Sequence, residues 1–311
     1  MLKSFIKKYT PLKKLYRTID FYKQHTKDLK NELMRYKTWV PPGHYYSPIP
    51  SVSEIQEKED QLFKPLIVEE NVVDFNSDEQ LVLLNQLHEY YTEIPFSEQK
   101  HEQFRYYYDN DFFSYADGIV LYSMLRYLKP TQVIEIGSGF SSAVMLDTAE
   151  LFLENATSFT FIEPYPERLL SLLNPTDMSK IHLVEQKLED IPLSTFKILK
   201  ENDILFIDST HVSKAGSDVN YYLFDIFPVL ESGVYIHIHD VFYPFEYPKQ
   251  WLYEGRAWNE IYLLRAFLSY NTQFKIIYFN NYMGVKHSQT ISEKLPLYMK
   301  NTGGSIWLQK L

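Results

Sequence analysis

Short apolar runs at 132–136, 158–163, 181–185, 203–208, 233–239 and 274–280 do not alternate with polar residues, which is the pattern of strands buried on both faces. The stretches between them, at 141–154, 166–173, near 194–200, 216–230 and 257–270, read as helices. Regular β/α alternation of this kind predicts a doubly wound, mostly parallel α/β sheet. An amphipathic stretch from Asp111 to Leu128 leads into it, and Gly303-Gly304-Ser305-Ile306-Trp307-Leu308 predicts a last, antiparallel strand. Upstream, residues 77–92 read as a short helix capped by Ser77. Four prolines and a glycine make 39–50 irregular. Residues 1–38 form a third pattern, with Leu2, Phe5, Ile6, Tyr9, Leu12, Leu15, Tyr16, Ile19 and Tyr22 at helical spacing and Pro11 as an early interruption. The expected division is a helical extension at 1–40, an accessory segment at 41–110 and a catalytic domain at 111–311.

Charge separates the first of these from the rest. Residues 1–37 hold eleven Lys/Arg against Asp20, Asp28 and Glu32, a local +8 that leaves the remainder at −17. A basic amphipathic helix suits peripheral contact with an anionic membrane, packing on its own domain, or a homo-oligomer. Packing takes precedence, because a charge-rich helix face is usually just solvated. The acidic remainder argues against nucleic acid, whose binding relies on phosphate neutralisation. With no cysteine among 311 residues, disulfides, thiolate metal sites and cysteine nucleophiles are excluded together. Neither a signal-peptide core nor a membrane-length apolar run is present, so a cytoplasmic location is expected.

Candidate chemistry lies at the carboxyl ends of the predicted strands, where doubly wound sheets bind ligands. Val133-Ile134-Glu135-Ile136-Gly137-Ser138-Gly139 ends a strand in a Gly-x-Gly turn, and a helix opens at Ser141-Ser142. Glycine there lets a ligand approach the backbone. Glu163, closing the next strand, suits the hydroxyls of a ribose. Two neighbouring tips bring together Asp208, His211, His239 and Asp240, side chains suited to a divalent ion where no thiolate exists. His237, deeper in its strand, reads as a hydrogen-bonded core histidine. The aromatic stretch Val241–Trp258, with Tyr243 and Trp251, reads as a lid for stacking on a sugar. His44, Tyr45 and Tyr46 from the proline-rich segment, and Tyr107 and Asn110, are further substrate-binding candidates.

The acid-x-Gly-x-Gly motif at 135–139 resembles that of class I S-adenosylmethionine-dependent methyltransferases. The resemblance implies a seven-stranded Rossmann-like sheet. It also implies S-adenosyl-L-methionine contacts at Glu135, Gly137, Ser138, Gly139, Ser141, Ser142, Glu163 and Asp208. Asp208-x-x-His211, with the acid after the next strand, is similar to the metal-dependent sugar O-methyltransferases that act on macrolides. That likeness implies Asp208 and Asp240 as magnesium ligands and His211 as general base. The chain departs at His239, where that group has a carboxylate, which leaves manganese, another ion or no metal open. The runs at 41–50, 205–220, 237–244 and 258–260 resemble bacterial methyltransferases of the family-24 type, associated with surface-polysaccharide biosynthesis. The implied activity is O-methylation of a saccharide or glycoconjugate hydroxyl. Its rivals are an iron-dependent hydroxylase on the same sheet and a non-catalytic polysaccharide-assembly adaptor.

Overall fold

The computed structural model describes residues 2–35, 38–64, 72–154 and 156–311, with side chains of the first helix described from Lys14 to Leu33. Two compact units result, Met1–Glu57 and Lys58–Leu311. The first holds α1 (Leu2–Arg35), which continues through Pro11, and α2 (Val52–Glu57). Leu2, Phe5, Ile6, Tyr9 and Leu12 of the expected apolar face lie outside the described side chains. No helix among the described residues is long and apolar enough to cross a membrane.

The second unit begins with α3 (Glu59–Leu62), α4 (Ser77–Tyr91) and α5 (Tyr115–Leu128). There follow β1 (Gln132–Ile136), α6 (Phe140–Phe152), β2 (Ser158–Ile162), α7 (Glu167–Leu172), β3 (Ile181–Val184) and β4 (Ile204–Ile207). α8 (Asp218–Tyr221) runs through a π-helical turn, Tyr222–Ile226, into α9 (Phe227–Val229). The chain ends with β5 (Tyr235–His239), α10 (Lys249–Tyr253), α11 (Glu260–Tyr270), β6 (Phe274–Phe279), α12 (Asn280–Lys286), α13 (Ser288–Lys294) and β7 (Ser305–Lys310). The seven strands lie in the order β3-β2-β1-β4-β5-β7-β6, parallel except for β7, which inserts antiparallel between β5 and β6. This is the predicted doubly wound sheet. Every residue of β4 and β5 is buried; β4 is apolar throughout, and β5 buries His237 and His239 as well.

Local details differ from the sequence reading. Ser77 is the first residue of α4 and follows Asn76 at the cap. Its hydroxyl bonds Tyr282 instead of the helix backbone. α5 starts at Tyr115 because Asn110 and the backbone it holds keep 110–113 in a turn. His237 is buried, but it stacks on Phe206 at 3.9 Å and 8°, and its Nδ1 has no hydrogen-bond partner among the described residues. Burial pushes its pKa well below the ordinary value, so it stays neutral. α12 and α13 escaped the pattern reading.

The loop before α5 is fixed by one buried cation. The Arg105 guanidinium bonds Asp147 of α6 at 2.6 Å, Asp177 at 2.6 Å and Glu150 at 2.9 Å. Asp147 also accepts the N–H groups of Arg105 and Tyr106, each at 2.9 Å. Removing one member of such a cluster strands buried charge. Arg105→Ala should therefore lower unfolding free energy by about 3–5 kcal/mol in a denaturant titration.

Candidate active site

Three strand tips are tied together at the glycine turn. The Gly137 N–H donates to Ile162 O of β2 at 3.0 Å, and the Asp208 N–H donates to Ile136 O of β1 at 2.8 Å. Gly137 has φ +77°, and a Cβ there would lie 2.1 Å from the Asp208 carbonyl oxygen. Only glycine fits. Gly139 differs from the expectation. At φ 175° it is extended, and a Cβ would meet only the flexible Arg168 side chain, at 3.1 Å. Of the two glycines, Gly137 is therefore the one the close approach requires.

Glu135 sits elsewhere than a ligand-facing acid would. It is fully buried, and its carboxylate accepts the hydroxyls of Ser141, at 2.5 Å, and Ser142. Ser142 Oγ in turn accepts the Gly139 N–H at 3.0 Å. These side chains brace the turn from beneath instead of lining the crevice above it. Burial pushes the Glu135 pKa up to about 8, against the pull of the two serines. Ser138 donates its N–H to Glu163 at 3.1 Å, and Glu163 also accepts the Tyr165 N–H at 2.8 Å. Those bonds aim the Glu163 carboxylate at a crevice of about 400 Å³. Gly137, Glu163, Tyr165, Leu188, Asp208 and Ser217 are among its walls. Tyr165, Leu188 and Ser217 were missed from sequence, and only their places beyond strand ends could have flagged them.

Beside this crevice Asp208, His211 and Asp240 present ligand atoms that all lie within 4.8 Å of one another. Nε2 of His211 stands 3.4 Å from Asp208 Oδ1 and 3.4 Å from Asp240 Oδ2. Both His211 (φ 60°) and Asp240 (φ 57°) take left-handed backbone. A non-glycine residue pays for that conformation in strain, and such strain gathers at functional sites. Of the four residues expected at these tips, and of the metal candidates Asp208, His239 and Asp240, the convergent group leaves out His239. His239 Nε2 is 3.6 Å from Asp240, its ring packs 5.2 Å from Phe113, and its Nδ1 has no partner among the described residues.

Sequence reading gave no role to Glu260. It is fully buried at the start of α11 and accepts from Ser209 Oγ at 2.7 Å and Tyr222 OH at 2.6 Å. His211 Nδ1 lies 2.8 Å away. The His211 carbonyl accepts the N–H groups of Asn259 and Glu260, so ring and backbone are held from one side. Burial alone disfavours the imidazolium, but Glu260, Asp208 and Asp240 outweigh it and hold the His211 pKa well above its ordinary value. The two aspartates diverge. Burial opposes ionisation of Asp208, yet His239, His211 and Arg168 keep its pKa below the usual carboxylate value, whereas burial wins at Asp240 and raises it.

The substrate candidates divide. Trp251 packs edge-on against Trp258 at 5.3 Å, and Trp258 lies 4.4 Å from the His211 ring, so this part of the aromatic stretch borders the convergent group. Tyr243 does not. Its ring packs on Phe75 at 5.6 Å and Tyr282 at 5.2 Å, inside the core. Asn110 spends its amide on Tyr107 O, Phe113 O and the Phe113 N–H, a turn-forming role. Tyr107 packs on Phe140 at 5.5 Å. His44, Tyr45 and Tyr46 belong to the first unit, where Tyr46 packs on Trp39 and His44 Nδ1 accepts the Tyr46 N–H.

With this geometry in place, comparison with known proteins is decisive. Residues 134–241, which run from β1 past the Asp240 tip, match the family model of a methyltransferase domain. Residues 134–241 are thus a methyltransferase domain, of the class I S-adenosylmethionine-dependent kind. An uncharacterised protein of Archaeoglobus fulgidus is 32% identical to this methyltransferase over 167 residues, 53% of this chain and 75% of that protein. A solved structure described as cmcI-D160 with Mg and S-adenosylmethionine is 22% identical, covering 62% of this chain and 69% of its own, with TM-score 0.37. The S-adenosylhomocysteine-bound methyltransferase PaMTH1 of Podospora anserina is 15% identical over 88% of this chain and 99% of its own, with TM-score 0.41. The assignment rests on the family model and not on these superpositions.

The glycine turn yields a direct test. Gly137→Ala forces a side chain into left-handed backbone, on the order of 1–3 kcal/mol, and against the Asp208 carbonyl. By calorimetry it should lose S-adenosylhomocysteine binding by more than about tenfold, with a lower melting temperature. Gly139→Ala should retain both. At Glu135 the folded pKa is raised, so the folded state binds the extra proton. The parent should therefore lose stability as pH rises from the ordinary carboxylate range through about 8, and Glu135→Gln should flatten that dependence.

Proposed function

We propose that this methyltransferase transfers the methyl group of S-adenosylmethionine to a hydroxyl of a saccharide or glycoconjugate, with His211 as base and a divalent ion held at Asp208 and Asp240. The observation that carries the reading is the convergence of Asp208, His211 and Asp240 beside the crevice that Gly137 and Glu163 border. A sugar hydroxyl is a weak nucleophile at neutral pH and needs a base, a Lewis acid or both. The oxygen and nitrogen donors fit a divalent ion, which when bound would supply Lewis-acid stabilisation of the developing alkoxide.

Glu260 fixes the imidazole with its proton on Nδ1, leaving the Nε2 lone pair toward the acceptor. Neutralising the charge of Asp208 and Asp240 lowers the His211 pKa again, so that neutral imidazole is present to take the hydroxyl proton. Trp258 and Trp251, which also carry the Arg256 guanidinium at 5.2 and 4.4 Å, offer aromatic faces beside that base. Such faces suit a sugar ring. The hydroxylase alternative would call for two imidazoles and one carboxylate, and the convergent group has the reverse ratio.

Methyl transfer from labelled S-adenosylmethionine to saccharide acceptors tests the reading. Asp208→Asn and Asp240→Asn should lower both divalent-ion affinity and turnover with the melting profile retained. His211→Ala should keep S-adenosylhomocysteine affinity and lose about 10²–10⁴-fold in turnover. Full activity in excess chelator would remove the ion from the mechanism, and a full-rate His211→Ala enzyme would overturn the base.

A pH profile adds a second check. Only neutral imidazole accepts a proton and the folded pKa is raised, so turnover should climb with pH through a midpoint above the ordinary histidine value. Added divalent ion should move that midpoint down. Glu260→Gln should lower kcat by at least about tenfold with KM little changed, because the imidazole loses its orienting acceptor.

A further inference from the structure

The methyltransferase chemistry makes no use of α1, a helix of 34 residues and roughly 50 Å. From Leu12 its apolar positions step by three and four in turn: Leu12, Leu15, Ile19, Tyr22, Thr26, Leu29 and Leu33. That average of 3.5 keeps one seam aligned along a pair of supercoiled helices, as positions a and d of a heptad. The seam is open to solvent: Leu15 is 55% exposed, Leu29 46% and Leu33 68%. Ile19, Tyr22, Lys23, Thr26 and Lys30 line a shallow groove along it. Thr26, the one polar member, donates its hydroxyl to the Tyr22 carbonyl at 2.7 Å. It can therefore be buried without stranding a donor.

We infer that α1 pairs in parallel with α1 of a second copy of this chain, as a two-stranded coiled coil. Ile19 at an a position with Leu15 and Leu29 at d is the arrangement that favours two parallel strands. The flanking charges select the direction. Lys23 and Lys30 occupy e positions, while Thr18, His25 and Glu32 occupy g. A parallel, in-register pair sets Lys23 opposite Thr18 and Lys30 opposite His25. An antiparallel pair faces lysine with lysine. The Thr18 hydroxyl is already bonded to Lys14 O at 3.0 Å and adds no unpaired donor.

An anionic membrane is the rival occupant, and the helix suits it less well. Beyond Tyr16 the aligned apolar positions are two in seven, narrower than the broad face of an interfacial helix, and Asp20, Asp28 and Glu32 interrupt the basic surface.

Sedimentation of the full chain should give a dimer. Ile19→Asp with Leu29→Asp should raise the dimer dissociation constant by at least about 100-fold, since each buries an unpaired charge. S-adenosylhomocysteine binding should be unchanged in that variant, which separates lost pairing from lost folding. Thr26→Ile should tighten the dimer, and Phe21→Ala, outside the seam, should leave it alone. Because the chain has no native cysteine, Leu33→Cys gives a clean report of direction: it should oxidise to a disulfide-linked dimer only if the helices run parallel. A full chain that stays monomeric, or a dimer indifferent to the aspartates, overturns the inference. So does a monomer whose α1 binds phosphatidylglycerol-containing vesicles, which would assign the seam to a membrane.

Discussion

The site depends on one close approach, the backbone of Gly137 against the backbone of Asp208. A hydrogen bond from Asp208 to Ile136 and another from Gly137 to Ile162 draw three strand tips together at that point. No side chain fits between the turn and the carbonyl it touches. The contact sets where the Asp208 carboxylate emerges, and with it the distance to His211 and Asp240. It also sets where α6 begins, and hence the place of Ser141 and Ser142 over Glu135. A methyl group added at this spot would disturb Glu163, the β4 tip and the convergent group of Asp208, His211 and Asp240 together.

Around that contact the protein tolerates unfavourable electrostatics at known places. Glu135 is buried with only hydroxyls for company, and Glu260 is buried against an imidazole, a phenol and a serine. Buried acids of this kind cost stability unless each lone pair has a donor. Here each carboxylate oxygen has at least one. The left-handed backbone at His211 and Asp240 adds strain at the two residues whose side chains converge. The surrounding sheet compensates: β4 and β5 are buried along their whole length and paired on both sides. Rigidity of this degree holds the spacing of the imidazole and the two carboxylates before any ligand arrives.

The sheet was legible because its signal is redundant. Six apolar runs, the helices between them and the late antiparallel strand each point to the same topology. Asp208 and Asp240 were legible for a related reason, since an acid directly after a buried strand has few places to go. Glu260 was not, because it begins a helix some fifty residues after His211, and nothing local in Trp-Asn-Glu says which imidazole it meets. Gly139 and Gly137 look equivalent in a Gly-x-Gly motif, yet only the backbone angle separates the required glycine from the tolerated one. Tyr243 and Asn110 were named on residue type alone. An aromatic near a lid or an amide near a crevice is as easily spent on packing or on its own turn, as both are here.

The charge of the crevice bears on turnover as well as on binding. Its walls carry Glu163, Glu189, Asp208 and Asp218 against Lys187 and Lys214. An acidic surface of this kind attracts a cofactor that bears a sulfonium and an ammonium. Attraction that is equally strong in the ground state does not accelerate transfer, because the sulfonium charge is disappearing as the methyl group leaves. Acids held close to the sulfur would oppose the reaction. Glu135, the acid nearest the turn in sequence, is buried away from the crevice, and its raised pKa favours the neutral form at neutral pH. The acids that remain on the crevice wall help the cationic cofactor to enter. The demethylated product has lost the sulfonium charge and is held less tightly by the same walls. One uneven distribution of carboxylates thus favours capture of the cofactor and release of its product.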